Sequence, residues 1–353
     1  MKYDNRSITT EDPCGIPFDR LISDKNDTIT TEKLLTGFPE LDCACGGFPA
    51  EGLVVIAGRP VMGHKELAMT IARNMSMVFG TPTAYVSMDH NERTLAQRIM
   101  RSISVEVGSK IELDGESYST AGLVGAKHPP LYLMSITRFS CKNIEGLCQK
   151  LVEKRGVHTI FLDAPEDMCQ QSNTHDFYEL GKNLKNIALR LGICIVAVSH
   201  LSRAVETRGG AKIPQLSDLR CGLELHANKV LLLYRPSYYE IDEDEYGPTR
   251  SRANIYVYDE FLVGDTPYCN VVVGFDSRHG VFDTHQLIRR VAFPQCSPSQ
   301  NLEDYRVWLF KIATQDYGFQ FNIQPSKEWK EKILSTFRDS NPQIDFLQSI
   351  LPQ

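Results

Sequence analysis

Residues 53–72, LVVIAGRPVMGHKELAMTIA, constrain the fold more than any other stretch of the chain. Leu53, Val54, Val55 and Ile56 form an unbroken apolar run, as a parallel strand covered on both faces requires. A turn with Gly58, Pro60 and Gly63 follows, and then Leu67, Ile71, Met75 and Val78 recur at helical spacing, so the next helix lays one face on the sheet. Strand, glycine turn and helix N-terminus bring free backbone N–H groups and the positive end of a helix dipole to one point, which makes an anion site. The phosphate-loop pattern GxxxxGK[ST] is met at Gly58 and Gly63 and broken immediately after. His64 stands where the lysine belongs, and Lys65 where the magnesium-binding hydroxyl belongs.

The rest of the chain reads as alternating strands and helices. Residues 83–89 (TAYVSMD) predict a strand and 92–104 a helix, with a looser stretch from 105 to 130. A short strand at 131–135 is followed by a helix at 142–155 and by TIFLD at 159–163, a strand ending on an acid. A helix over 174–191 precedes the buried strand 193–199 (ICIVAVS), with His200 at its C-terminal end. A polar loop at 202–218 leads to KVLLLY at 229–234. This alternation means a parallel, doubly covered sheet with its site at the strand C-termini. After Arg235 the pattern changes to two strands, 253–261 and 270–276, around a Gly-Asp turn, which predicts an antiparallel hairpin extending the sheet. Residues 1–33 read as an arm or linker, 34–290 as the core and 291–353 as a helical appendage. The appendage holds amphipathic helices at 297–313 and 325–337, with Ser326 placed to cap the second. It carries 6 Lys and Arg against 7 Asp and Glu, so it reads as a packing or docking element.

Composition narrows the class. With 42% apolar and 23% charged residues, the 353-residue chain is ordinary for a soluble globular protein. It has no apolar run of membrane-spanning length, and its N-terminus is polar, without a secretory segment, so no membrane partner is expected. Ten cysteines are scattered through the sequence, some in predicted strands or helices (Cys148, Cys194), which points to reduced thiols and a cytoplasmic location. Cys43 and Cys45 form a CxC pair with no second pair at zinc spacing. A net charge of −6 argues against a general polyanion coat but leaves room for a local basic loop or the inner face of a ring.

Taken in order, TGFPELD (36–42), GRPVMG (58–63), YVSMD (85–89), TIFLD (159–163), VSHLSR (198–203) and SDLR (217–220), with the late strand pair, carry a resemblance. Over residues 34–285 the chain resembles the C-terminal motor domain of DnaB-type replicative helicases. The resemblance implies a RecA-like α/β P-loop NTPase fold, with a mostly parallel sheet, helices on both faces and a C-terminal antiparallel hairpin. It implies ATP and Mg2+ as cofactors, and single-stranded DNA, a homo-oligomeric (hexameric) ring and replication proteins as partners. It places nucleotide contacts on Gly58, Arg59, Pro60, Met62, Gly63, His64, Lys65 and Glu66. Asp163 falls where the family has its magnesium-orienting acid, Asp89 where it has the catalytic glutamate, and His200 where it has a polar phosphate sensor. Central-loop DNA contacts would come from Arg203, Arg208, Lys212 and Arg220, which otherwise form a solvated loop. The 291–353 tail has no counterpart in the pattern.

Four positions depart from the chemistry that the resemblance implies. The loop backbone can cradle phosphate without the lysine, but His64 is short and mostly neutral near pH 7. A one-place slip that promoted Lys65 would put His64 at the position of Gly63, where positive φ is expected. On the helix Lys65 also points about 100° away from position 64. Two readings stand: Lys65 places its ammonium in the magnesium site and pairs with Asp163, or His64 and Lys65 are surface residues at an eroded loop. Asp89 is one methylene shorter than the family's glutamate, and it also reads as a cap for the following helix. The position of the family's trans-acting Lys-x-Arg finger reads Asp259-Glu260-Phe261, an acidic pair facing a triphosphate, with Arg278 as the alternative finger. Removal of such a finger lowers the rate ~10³-fold or more. The expectation is weak or absent ATP hydrolysis, with a nucleotide-binding or assembly role. The alternative is an active ATP-driven ring helicase or translocase on single-stranded DNA.

Overall fold

The computed structural model describes residues 33–107, 129–136, 143–169, 179–259, 267 and 269–284. The predicted arm, the hairpin turn at 262–266 and the appendage helices lie outside the described residues.

The chain enters through β1 (Lys33–Leu34), helix α1 (Pro39–Cys45) and β2 (Phe48–Pro49), which pairs antiparallel with β1. The TGFPELD segment is closed by one buried acid. Asp42 accepts hydrogen bonds from the Thr36 amide (2.8 Å), the Thr36 hydroxyl (2.8 Å) and the Gly37 amide (3.0 Å). Strand β3 (Gly52–Gly58) then runs through the middle of the sheet with all seven residues buried. Helix α2 (His64–Arg73) follows the turn and passes into a π-helical turn at Asn74–Val78. Next come β4 (Thr83–Ser87), α3 (Glu92–Val107), β5 (Leu131–Ser135), α4 (Ile144–Arg155) and β6 (Thr159–Asp163). A 3-10 turn (Pro165–Cys169) and α5 (Leu180–Leu191) lead to β7 (Cys194–His200). The polar loop beyond holds α6 (Ala204–Thr207), a 3-10 turn (Leu216–Asp218) and α7 (Leu223–His226) before β8 (Lys229–Tyr234). A small ladder of β9 (Glu243–Asp244) and β10 (Gly247–Pro248) precedes β11 (Arg252–Asp259), β12 (Cys269–Asp276) and β13 (Val281–Phe282).

The nine-stranded sheet has the order β13-β12-β11-β8-β3-β7-β6-β4-β5. From β5 to β8 every pairing is parallel, and β11, β12 and β13 add antiparallel at one edge. The expected hairpin therefore extends the sheet as the sequence indicates. Strand β3 alternates between two cores. Leu53, Val55 and Ala57 face the layer holding Leu184, Ala188 and Leu223, whereas Val54 and Ile56 face the layer holding Leu67, Ile71 and Phe275. The chain order reverses around β3, which lies between β7 and β8, and that crevice is where ligands of open α/β sheets bind.

Boundaries shift where local chemistry overrides periodicity. Strand β4 ends at Ser87 because the Ser87 hydroxyl accepts the amides of Asp89 and His90 at 3.2 Å each, turning the chain off the sheet. Helix α3 runs on to Val107, past the expected break at 105. There Arg73, 1% exposed, pairs with Glu106 (2.7 Å) and donates to Ser102 (2.9 Å), locking α3 to α2. The start of the helix predicted at 174 lies outside the described residues, which hold it from Leu180.

Removing the Asp42 carboxylate leaves several buried donors unmet at once. Asp42→Ala is expected to lower the free energy of unfolding by roughly 2–4 kcal/mol, read from urea midpoints at unchanged m value. A loss below about 1 kcal/mol would show that these hydrogen bonds do not hold the entry segment.

Candidate nucleotide site

The turn after β3 is tight and strained. Gly63 sits at φ 96°, a left-handed conformation, and a Cβ there would meet the Phe275 ring at 3.2 Å. Val61 also adopts φ 72° while 70% exposed, which is unfavourable for a β-branched side chain. Two arginines hold the turn in shape. Arg59 donates from Nη1 to the Leu201 carbonyl (2.9 Å) and pairs through Nε with Glu206 (3.0 Å). Arg235 donates to the Val61 carbonyl (3.0 Å) and stacks over Phe275 at 4.6 Å. Met62 is buried in the core and Pro60 is exposed. The first-turn amides of α2 open beside this turn without carbonyl partners inside the helix, so the cradle for phosphate is intact in shape.

The two substituted positions take different directions. His64 is 3% exposed and folds back over Gly58, whose position would bring a Cβ within 3.1 Å of the imidazole. Its ring meets that of His200 edge-to-face at 4.8 Å, and neither ring nitrogen has a hydrogen-bond partner among the described residues. Burial, with help from His200 and Lys65, pushes the His64 pKa well below the ordinary imidazole value. The surface reading of His64 is therefore corrected: the side chain is a buried neutral imidazole because β3 and β7 close over it.

Lys65 reaches across the strand ends and places its ammonium between two carboxylates. It forms a short contact with Asp89 and lies 3.1 Å from Asp163 Oδ1. Asp163 is 1% exposed, and its Oδ2 accepts the Ser87 hydroxyl at 2.9 Å, in keeping with the direct β4–β6 pairing of Ser87 with Asp163. Burial opposes the Lys65 charge, but the two carboxylates outweigh it and raise its pKa. Burial likewise works against the Asp89 carboxylate, and the Lys65 hydrogen bond and charge overcome it to hold Asp89 below the usual range. Burial and Lys65 lower the His200 pKa against the pull of Asp163 and Asp89. Asp89 is not the cap of α3. Asn91 fills that role, its Oδ1 accepting the Thr94 amide at 2.8 Å, because Asp89 lies too far ahead of Glu92.

Other expected site residues lie further apart. Glu66 pairs with Arg98 at 3.3 Å on the outer side of α2. Asp259 pairs with Lys229, its direct neighbour in the β8–β11 register, so its charge is balanced within this chain and it does not project as a free acid. Glu260 and Phe261 lie outside the described residues. Arg278 occupies the turn after β12 and lines a cavity formed with α2 and α3 of its own chain. Of the four basic loop residues, Arg203 and Arg220 are exposed. Arg208 is clamped by Asp218 (2.7 and 3.1 Å) and donates to the Ile213 carbonyl, while Lys212 lies 4.0 Å from Glu206 and over the Tyr239 ring.

Sequence reasoning missed two acids. Glu206 joins Arg59 to Tyr239, whose hydroxyl donates to it at 3.2 Å, and so ties the turn after β3 to the loop after β7. Glu166 lies under β7, its Oε1 accepting the His200 amide at 2.8 Å, and burial pushes its pKa up to about 7. The Ala164-Pro165 step just before this acid was a readable signal for a strand-end turn, but the acid's target on β7 was not.

The fold and this strand-end site are those of a RecA-like ATPase domain. The structure is similar to a solved one described as a single ATPase domain (TM-score 0.60, 22% identity, covering 75% of this chain and 94% of that one). It is also similar to a DnaB-like replicative helicase whose structure was described with its interactions with primase (TM-score 0.62, 23% identity, 77% of this chain and 68% of that one). The family description "DnaB-like helicase C terminal domain" matches residues 33–282, and the chain belongs to that family. Its curated relatives include the replicative DNA helicase DnaB of Leifsonia xyli subsp. xyli (strain CTCB07), 28% identical over 60% of this chain and 49% of that protein. The replicative DNA helicase DnaB of Geobacillus stearothermophilus is 27% identical over 59% of this chain and 48% of that protein. The chain thus spans about half the length of the curated relatives it matches. Among the described residues no helix is long and apolar enough to cross a membrane.

Glu166 gives a pH signature. Its folded pKa of about 7 lies above the unfolded value of 4.5, so the native state holds the extra proton in that interval. Stability therefore falls as pH rises from about 4.5 to about 7 and stays low above it. Glu166→Gln is expected to remove this decline, gaining roughly 2–3 kcal/mol at pH 8 and nothing at pH 4. Parallel urea-unfolding profiles for the two proteins across that range would disprove the assignment.

Proposed function

We propose that this chain is a member of the DnaB-like family that binds nucleotide weakly, without hydrolysing it, and acts in nucleotide-gated assembly with replication proteins. The observation that carries this reading is the Lys65 ammonium held between Asp89 and Asp163. In the family's chemistry a magnesium ion, held by the loop hydroxyl and oriented by the strand-end acid, neutralises β- and γ-phosphate charge together with the loop lysine. Here the hydroxyl is replaced, and both carboxylates already have a cation from their own chain. Magnesium therefore does not fit these residues. The three groups leave one net negative charge beside the cradle, and the buried neutral His64 adds nothing to offset it.

ATP fits the backbone cradle, with phosphate received by the first turn of α2 and the turn at 58–63. When bound, the nucleotide supplies a triphosphate whose occupancy Arg59 and Glu206 relay to the loop after β7. Asp89 and His200 lie at the positions of the family's water-polarising acid and phosphate sensor. Asp89 is engaged with Lys65, and His200 is kept neutral. Single-stranded DNA contact, in a ring, falls to the exposed Arg203 and Arg220, a small and salt-sensitive contribution. Primase interacts with one structurally similar helicase, and a replication protein is the partner class assigned here.

Calorimetry with ATP in magnesium and in EDTA tests the reading: the native chain is expected to bind weakly and equally in both. Steady-state hydrolysis is expected at background with or without single-stranded DNA. The double variant His64→Lys, Lys65→Thr releases both carboxylates and is expected to gain about tenfold in affinity, only with magnesium. Magnesium-dependent turnover by the native chain would overturn the proposal. If Lys65→Ala left that turnover intact or raised it, the site argument would fail. If Lys65→Ala abolished it, the lysine would be working one register earlier.

A further inference from the structure

A cavity of about 230 Å³ lies outside the phosphate cradle, between α2, α3 and the turn joining β12 to β13. Three guanidinium groups line it: Arg98 and Arg101 from one face of α3, and Arg278 from the turn. One acid, Glu66, reaches Arg98 at 3.3 Å. Arg101 and Arg278 form no ion pair among the described residues, and Arg101 Nε is buried without any hydrogen-bond partner. The one imidazole at the rim, His279, is held by Asp276 at 2.5 Å. The cavity's hydroxyls have turned their protons elsewhere: Thr70 donates to the Glu66 carbonyl and Ser102 to the Ile99 carbonyl.

The groups free to bind a ligand are thus cationic donors. Converging guanidinium groups repel one another, and a partly enclosed site screens them less than open water does. An oxyanion that accepts from more than one fork relieves both costs, and planar guanidinium matches phosphate oxygens in pairs. The volume equals about seven or eight waters at ~30 Å³ each and lies below the ~300–1,000 Å³ of a drug-sized pocket. We propose that this cavity is a second anion site, taking a small phosphorylated anion of pyrophosphate size between Arg98, Arg101 and Arg278. The site is independent of the cradle at 58–63 and of whether that cradle binds ATP.

Titration calorimetry of the full chain with pyrophosphate tests it. The native protein is expected to bind one equivalent, more weakly as salt is raised. Arg101→Gln and Arg278→Gln are each expected to weaken binding about tenfold or more, and Arg101→Lys to recover part of the loss. Arg278 is exposed, so its variant keeps the native thermal midpoint and separates binding from folding. Undiminished pyrophosphate affinity in both glutamine variants would place the anion in the cradle and overturn the proposal. So would the absence of binding, or a site that takes citrate and not pyrophosphate.

Discussion

Strand β3 has no face toward water. All seven of its residues are buried, with β7 on one side, β8 on the other and a helical layer above and below. A chain leaving such a strand must turn within a few residues and return over the sheet as a helix. The turn at 58–63 does so with Gly63 and Val61 both in left-handed backbone. Everything chemical in the domain is fixed by that return, because it sets the N-terminus of α2 against the ends of β4, β6 and β7. The packing of Phe275 and Phe282 against Gly63 explains why the antiparallel edge strands matter to a site they do not line.

Around that turn the charges are arranged to satisfy one another. An ammonium 13% exposed beside a carboxylate 1% exposed would be costly alone, and each makes the other tolerable. The exposed Asp89 adds a second anchor, and Ser87 fixes the orientation of Asp163. A residue one place along a helix points in another direction, so Lys65 does not reproduce a lysine at position 64. It reaches the strand ends, where the carboxylates are, and the imidazole at 64 fills the space over Gly58.

Much of this was legible in the sequence. The order of strands, the antiparallel extension, positive φ at Gly63 and the pairing of Lys65 with Asp163 all follow from periodicity, glycine spacing and side-chain direction. Other features required the register. Asp259 and Lys229 are 30 residues apart and meet only because β11 and β8 pair antiparallel at that step. Arg208 and Asp218 close a loop whose turn depends on Lys212 in left-handed backbone, unreadable from a stretch of polar residues. Asp89 carried two roles in one dimension, and Asn91 took the capping one because it stands directly before Glu92.

The brace between cradle and central loop follows the same principle. Arg59 reads as a phosphate contact by position, yet its guanidinium is engaged by Glu206 and the Leu201 carbonyl. Glu206 in turn holds Tyr239 and draws Lys212 toward it. A phosphate entering the cradle would compete with Glu206 for Arg59. Weakening that pair would loosen the loop after β7 at the point where Lys212 and Arg208 are held back from solvent. The same internal pairing that quiets the site would then make the loop respond to occupancy alone, with no bond broken.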